Sequence, residues 1–346
     1  MSVAPFKTCA IFGGTGFIGV HFARHLIANQ LTERVILADI NSLNVALWPI
    51  EVRQALDRGM LEYVRVDVRE PIEAAALPER VDLIVNAAAI HREPGHAPFE
   101  YYETNILGAE HVCDWAESID CTSIVFTSSI APYGPTEDPK DERSLPIPIT
   151  PYGCSKLIAE KIHVGWQKGD RGSRQLLIIR PGVVYGPGEG GNVTRLVRAV
   201  LGGYFAYTGN RHTRKAGGYV KELCHSILHV WFWQKKHHQG VVTFNFTADP
   251  ALTIEEYVKA VCETVAIERF VPSFPYPFLL GASYLIAPVA RLCGVKQPIE
   301  PVRMRKLVKS NNIQPRFLRD IGYCYRYSTS EAFADWQRER PSDWTF

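Results

Sequence analysis

A glycine-rich turn between a strand-like run and a helix-like run limits the folds open to this chain more than any other feature. The apolar residues Thr8-Cys9-Ala10-Ile11-Phe12 read as a buried strand. Gly13-Gly14-Thr15-Gly16-Phe17-Ile18-Gly19 follows, and a helical pattern runs from Phe17 to Ala28 with apolar residues at Ile18, Phe22, Leu26 and Ile27. Strand, glycine turn and helix in that order predict a dinucleotide-binding unit. Glycines at 13, 16 and 19 allow a tight turn, close backbone approach to a pyrophosphate and close helix packing. The helix N-terminus turns unpaired N–H groups toward the phosphates. Thr15, Phe17 and Ile18 lie in the same turn and join Gly13, Gly16 and Gly19 as expected cofactor contacts.

Strand-like runs continue through the first half. Val35-Ile36-Leu37-Ala38 ends at Asp39, twenty residues after Gly19. A carboxylate there accepts hydrogen bonds from ribose hydroxyls and repels a 2′-phosphate, which favours NAD over NADP. Tyr63-Val64-Arg65-Val66 ends at Asp67-Val68, where an adenine contact is expected. Val81-Asp82-Leu83-Ile84-Val85 runs into Asn86-Ala87-Ala88-Ala89, and the small side chains of Ala87, Ala88 and Ala89 leave room for a dinucleotide. Ser123-Ile124-Val125-Phe126 delivers Thr127-Ser128-Ser129, and Gln175-Leu176-Leu177-Ile178-Ile179 ends at Arg180-Pro181-Gly182. Strands alternating with helical segments predict an α/β fold with a doubly wound parallel sheet and a site at its carboxyl edge. The chain changes character near residue 185. Residues 1–185 are read as the cofactor domain and 186–346 as mainly a smaller substrate-binding part, with Val241-Val242-Thr243-Phe244-Asn245-Phe246 returning to the sheet.

Tyr152-Gly153-Cys154-Ser155-Lys156 adds a chemistry. Four residues apart on a helix, a phenol and an ammonium share one face. The ammonium favours the phenolate, so Tyr152 can take a proton from a hydroxyl while a hydride leaves the same carbon. His91-Arg92, just past the fourth strand, is expected near the nicotinamide and substrate.

Composition excludes other classes. With 46% hydrophobic and 21% charged residues, disorder is not expected. A net charge of +2 argues against a nucleic-acid binder. Eight cysteines without a C-x-x-C pair predict reduced thiols in a cytoplasmic protein and no metal site. The pair His237-His238 has no further ligands nearby in sequence and reads as an exposed helix end. Cys154 reads as a packing residue.

With these residues in hand, the chain resembles the extended short-chain dehydrogenase/reductase family over nearly its whole length. The resemblance rests on the 13–19 turn, Asp39, Asp67-Val68, Asn86-Ala87-Ala88, Asn105, Ser129 to Gly134, Tyr152-x-x-x-Lys156 and Arg180-Pro181. Within that family it is most similar to NAD-dependent sugar-nucleotide epimerases and dehydratases. A subgroup of bacterial polysaccharide-cluster epimerases, including polyprenyl-diphosphate N-acetylglucosamine 4-epimerases, is closer still. Ala89-Ile90-His91-Arg92-Glu93, Gly191-Asn192-Val193, Gly218-Tyr219-Val220, Pro275-Tyr276-Pro277 and Val302-Arg303-Met304-Arg305-Lys306-Leu307 carry that likeness. The resemblance implies that Tyr152 is the base and that Lys156 lowers its pKa and holds the nicotinamide ribose. It implies that Ser129 hydrogen-bonds the reacting oxygen, with Thr127 and Ser128 ranked below it. Asn105 and Pro181 join the cofactor set, and Asn192, Arg214 and Lys215 meet a substrate diphosphate. A homodimer packed through the helices after the fourth and fifth strands is a further expectation.

The residues after Ser129 are Ile130-Ala131-Pro132, where dehydratases of the family place an Asp-Glu pair. Without those carboxylates elimination lacks its acid and base, whereas 4-epimerisation by transient C4 oxidation does not need them. Val183 stands where many relatives carry asparagine, and Arg180-Pro181-Gly182-Val183-Val184-Tyr185-Gly186 also resembles the 3β-hydroxysteroid dehydrogenase branch. A dehydrogenase or reductase of a keto-sugar or steroid-like alcohol is therefore the alternative activity, and an NAD-binding scaffold is a third. The substrate carrier, nucleotide or polyprenyl lipid, stays open. Phe274 to Val295 is mostly apolar and is followed by a basic stretch to Arg319. Two readings stand for 274–319: an interfacial contact with the cytoplasmic face of a membrane, or a packed helix with a solvated basic flank.

Overall fold

The computed structural model describes residues 4–42, 48–73, 77–91, 95–281, 284 and 308–345. Its centre is a seven-stranded parallel sheet. In chain order the strands are β1 (Phe6–Phe12), β2 (Thr32–Asp39), β3 (Leu61–Arg65), β4 (Leu83–Asn86) and β5 (Ser123–Thr127). A short β6 (Thr136–Lys140) lies outside this sheet, β7 (Gln175–Pro181) completes the series, and β11 (Val241–Phe246) is its seventh member. The order across the sheet is β11-β7-β5-β4-β1-β2-β3. Each strand starts or ends within a few residues of its predicted run, and the return of 241–246 to the sheet is observed beside β7.

The central strands are buried on both faces, as parallel strands covered by crossover helices must be, while the edge strand β3 is only part-buried. Alternation sorts their side chains. Cys9, Ile11, Val35 and Leu37 pack on one side with α1 (Phe17–Ala28), α2 (Ile50–Asp57) and α7 (Val220–Lys236). Ala10, Phe12, Ile36 and Ala38 pack on the other with α4 (Gly108–Ser118) and α5 (Pro151–Gly169), which a short α3 (Pro98–Tyr102) and a π turn at Glu103–Leu107 precede. Helix α1 keeps the predicted bounds of Phe17 and Ala28. Trp231 on α7 is buried in the first of these clusters, while His237 and His238 are exposed as expected.

A third cluster forms the smaller part. It joins α6 (Asn192–Gly202), α8 (Ile254–Thr264) and α10 (Thr329–Glu339) to two-stranded sheets, while the short α9 (Arg316–Asp320) buries Leu318 in the first cluster. In these, β8 (Val183–Tyr185) pairs with β10 (Gly217–Tyr219), β9 (Tyr207–Thr208) with β12 (Ser273–Phe274), and β6 with β13 (Asn311–Ile313). Tyr185, Tyr257, Phe333 and Trp336 make the aromatic core here, with ring centroids 5.1 to 6.4 Å apart. Gly217 and Gly218 thus belong to a strand that pairs with Val183 and Val184.

Candidate active site

The glycine turn lies between β1 and α1 and leans on the end of β4. Gly13 has φ +72°, and a Cβ there would sit 2.7 Å from the Ala87–Ala88 peptide. Only glycine serves at a position that is both left-handed and in contact with backbone. Asp39 is buried at the end of β2, where its carboxylate accepts from the Thr15 N–H at 3.1 Å and the Asn41 N–H at 2.9 Å. It braces the turn from the side on which a ribose is expected. Helix α1 begins after Gly16 with no side-chain cap, so its first N–H groups remain directed at a ligand. An uncapped helix start behind a glycine cradle fits the pyrophosphate of a dinucleotide.

Other residues expected at the cofactor hold structural contacts. Asp67 lies two residues past the end of β3 and forms a bidentate pair with Arg69 at 2.6 to 3.1 Å, which holds its carboxyl below the ordinary range. Val68 is buried against Gly108. Ala87, Ala88 and Ala89 are half-buried at the mouth of β4, as their small size suggested. Asn105 is buried in the π turn. Its Oδ1 accepts from the Ile90 N–H at 3.0 Å, and its Nδ2 donates to the Ser155 Oγ at 2.8 Å and the Ile90 carbonyl at 3.3 Å. Asn105 therefore ties the loop after β4 to α5. Pro181 is buried at the end of β7, its carbonyl accepting from the Ile130 N–H at 3.0 Å.

Helix α5 carries Tyr152 and Lys156. Thr150 caps it by accepting from the Gly153 N–H at 3.2 Å, and Pro151 occupies its first position. A Cβ on Gly153 would stand 2.8 Å from the Ala131 carbonyl oxygen. The missing side chain thus lets the first turn of α5 press on the Ser129–Ala131 loop, bringing two parts of the predicted site together. Ser129 is half-buried, and its Oγ accepts from the Ala131 N–H at 3.1 Å. Tyr152 is half-buried with its ring 6.2 Å from that of Tyr101. Lys156 is buried, its Nζ 4.6 Å from the Phe126 ring centroid. Burial drives its pKa down to about 7, and the Glu160 carboxylate one turn on opposes that fall.

Glu160 is the site residue that the sequence reading passed over. Its carboxylate is 2% exposed and accepts from the Arg180 Nε at 2.8 Å, the Arg180 Nη2 at 2.6 Å and the Ser128 Oγ at 2.5 Å. Arg180 also donates to the Tyr133 hydroxyl at 2.7 Å, which in turn donates to Asn245 Oδ1 at 3.0 Å. One buried network so joins the ends of β5, β7 and β11 to α5. The signal was present as a carboxylate four residues after Lys156.

The residues expected at a substrate diphosphate are less gathered. Asn192 is exposed at the start of α6, with its Oδ1 accepting from Arg195 at 2.6 Å. Arg214 donates to the Ala251 carbonyl at 2.5 Å, and the Lys215 Nζ donates to the Lys309 carbonyl at 2.6 Å. Burial lowers the Lys215 pKa to about 8. His91 is exposed beyond β4, and Arg92 lies outside the described residues.

Comparison with known proteins agrees with this geometry. Residues 9–242 match the NAD dependent epimerase/dehydratase family. An N-acetyl-alpha-D-glucosaminyl-diphospho-ditrans,octacis-undecaprenol 4-epimerase of Escherichia coli O157:H7 is 28% identical over 93% of this chain and 91% of its own. The UDP-glucose 4-epimerase 4 of Oryza sativa subsp. japonica is 32% identical over 45% of this chain and 44% of its own. Among solved structures, a UDP-glucuronic acid 4-epimerase from Bacillus cereus in complex with NAD superposes with a TM-score of 0.74, at 16% identity over 98% of this chain and 100% of that one. The chain belongs to the NAD dependent epimerase/dehydratase family, and NAD is its cofactor.

Proposed function

We propose that the protein is a 4-epimerase of a diphospho-sugar, an N-acetylhexosamine joined through its diphosphate to UDP or to a polyprenyl carrier, acting in surface polysaccharide synthesis. One observation carries this reading. Gly153 seats the Tyr152–Lys156 turn directly on the Ser129 loop, and no carboxylate stands between Ser129 and Tyr133. That leaves a base and an oxygen-binding hydroxyl without the acid and base that loss of water requires.

In this reading Tyr152 takes the proton of the sugar C4 hydroxyl and later returns it. Ser129 holds the same oxygen. The buried Lys156 ammonium favours the Tyr152 phenolate and reaches the nicotinamide ribose. NAD, held by the 13–19 turn and Asp39, supplies the acceptance and return of the C4 hydride. Residues 1–185 serve as the cofactor part and 186–346 mainly as the substrate part. Exposed Phe99, Leu107 and Ile158 beside α4 and α5 support a homodimer through those helices. Exposed Phe270, Phe274 and Phe278 support a membrane contact near 274–319, most of which lies outside the described residues. No helix among the described residues is long and apolar enough to cross a membrane.

The test is a paired assay with UDP-N-acetylglucosamine and polyprenyl-diphosphate N-acetylglucosamine, resolving the C4 epimers. The full-length likeness to the undecaprenol-linked enzyme supports turnover of the lipid-linked sugar. Tyr152→Phe should lower turnover of the accepted substrate about 10³-fold with the fold intact. Unchanged turnover in that variant, or net NADH accumulation from an alcohol, overturns the epimerase reading.

A further inference from the structure

A cavity lies away from the glycine turn, at the far end of α1. Its volume is about 560 Å³, within the range of small-ligand sites. Helix α1 contributes His25, α7 contributes His225, His229 and Lys236, and the segment after α9 contributes Arg326. Among the described residues no Asp or Glu lines it, and the Glu222 carboxylate behind it acts on the Arg326 guanidinium through charge. Trp233 and the exposed Phe232 supply planar apolar walls.

Behind the cleft stands a buried relay. The Glu222 carboxylate, 2% exposed, accepts from the Tyr323 hydroxyl and from the backbone N–H groups of Arg326 at 2.9 Å and Tyr327 at 3.0 Å. With its hydrogen given to Glu222, the Tyr323 oxygen accepts from His225 Nδ1 at 2.7 Å. That fixes the tautomer, and Nε2 of the neutral ring carries the lone pair. Burial and the neighbouring Arg326 push His25 and His225 down to about 4, and push His229 down as well. Without a bound anion the three rings are therefore neutral near pH 7, leaving two fixed cations at the cleft.

We propose that this cleft binds a phosphate-type oxyanion carried on an apolar or planar body, separately from the cofactor and the sugar. Arg326 and Lys236 hold the oxyanion. Its negative charge favours the imidazolium, so His225 takes up a proton at Nε2 and becomes a second donor toward the cleft. The new charge is backed through Tyr323 by Glu222. His25, His229, Lys236 and Arg326 oppose that charge, so His225 protonates only when the anion is present. Binding is thus coupled to proton uptake and tightens as pH falls. A soluble phosphate ester and a lipid head group both present this chemistry.

The experiment is calorimetric titration of the NAD-saturated protein with phenyl phosphate and with inorganic phosphate. Saturable binding is expected, tighter for phenyl phosphate, and strengthening as pH falls from 8 to 6 by at most about tenfold per pH unit for one proton taken up by the protein, read against His225→Gln titrated in parallel because the phosphate itself gains a proton near pH ~6. Arg326→Ala should weaken it roughly tenfold while epimerase turnover and the thermal midpoint stay near those of the parent. His225→Gln should flatten the pH dependence. Sedimentation with phosphatidate vesicles separates the sources: Arg326-dependent pelleting assigns the lipid head group, and binding of phenyl phosphate alone assigns the soluble ester. Absence of saturable binding at pH 6, or binding indifferent to Arg326→Ala and Lys236→Ala, overturns the proposal.

Discussion

The two ends of the proposed reaction site are built differently. Around Lys156, cations and carboxylates meet one another: Glu160 pairs with Arg180, supports the Lys156 charge and accepts from Ser128. The Lys215 and Arg214 head groups donate to backbone carbonyls, those of Lys309 and Ala251, while Glu137 acts on Lys215 through charge and Glu255 pairs with Arg211. The first arrangement fixes charge where a proton must move. The second holds the 209–215 segment against 251 and 309, and its two carbonyl contacts need donors and no particular charge. A lysine or arginine near a site is therefore not a ligand contact by type alone, since its role follows from what its head group touches.

Removal of Glu160 gives the largest expected effect and tests the first arrangement. Glu160→Ala leaves the Arg180 guanidinium buried without its partner, at a cost of about 3–5 kcal/mol in unfolding free energy by chemical denaturation. Glu160→Gln keeps the shape and removes the charge. Lys156 is an ammonium below its pKa of about 7, and Glu160 raises that value. Without the carboxylate the ammonium is lost at lower pH, so the alkaline limb of the rate profile moves to more acid pH. An alkaline limb that stays in place would show that the network is only a scaffold.

Gly153→Ala comes next and separates geometry from stability. A Cβ 2.8 Å from the Ala131 carbonyl oxygen forces the first turn of α5 away from the Ser129 loop. Misplacement of about 1 Å costs on the order of 10²-fold in turnover. Alanine is at the same time the better helix former by about 1 kcal/mol, which offsets the strain. The expected result is a lowered kcat with a thermal midpoint close to the parent. Equal losses in both would mean that this contact holds the fold and not the site.

The sheet and the glycine turn were legible because backbone demands leave local marks. Gly13 must be left-handed, β1 must be apolar on both faces, and Tyr152 and Lys156 share a helix face whatever lies around them. The Glu160–Arg180 pair was half legible. Its spacing after Lys156 is local, but Arg180 becomes its partner only when β7 lies beside β5. Asn105 and Asp67 were read by position along the chain, while their contacts with Ser155 and Arg69 depend on how the π turn and the β3 loop fold back. The cluster of His25, His225 and His229 was not legible, since it forms across two helices some 200 residues apart in sequence.

Lys215 gives the smallest expected effect and the sharpest test of the second arrangement. Its pKa of about 8 arises from burial, with Glu137 opposing the fall. A diphosphate contact needs the ammonium to leave the Lys309 carbonyl and meet the ligand. A packing role keeps the donation to the Lys309 carbonyl, and one such hydrogen bond is worth about 1 kcal/mol. We expect Lys215→Met to lower stability by about that amount and to leave the KM of the diphospho-sugar within about twofold. A KM raised tenfold or more, with stability unchanged, would return Lys215 to the substrate. The distinction between the two ends of the site would then be one of ligand-free geometry, with both ends placing their cations on negative charge during turnover.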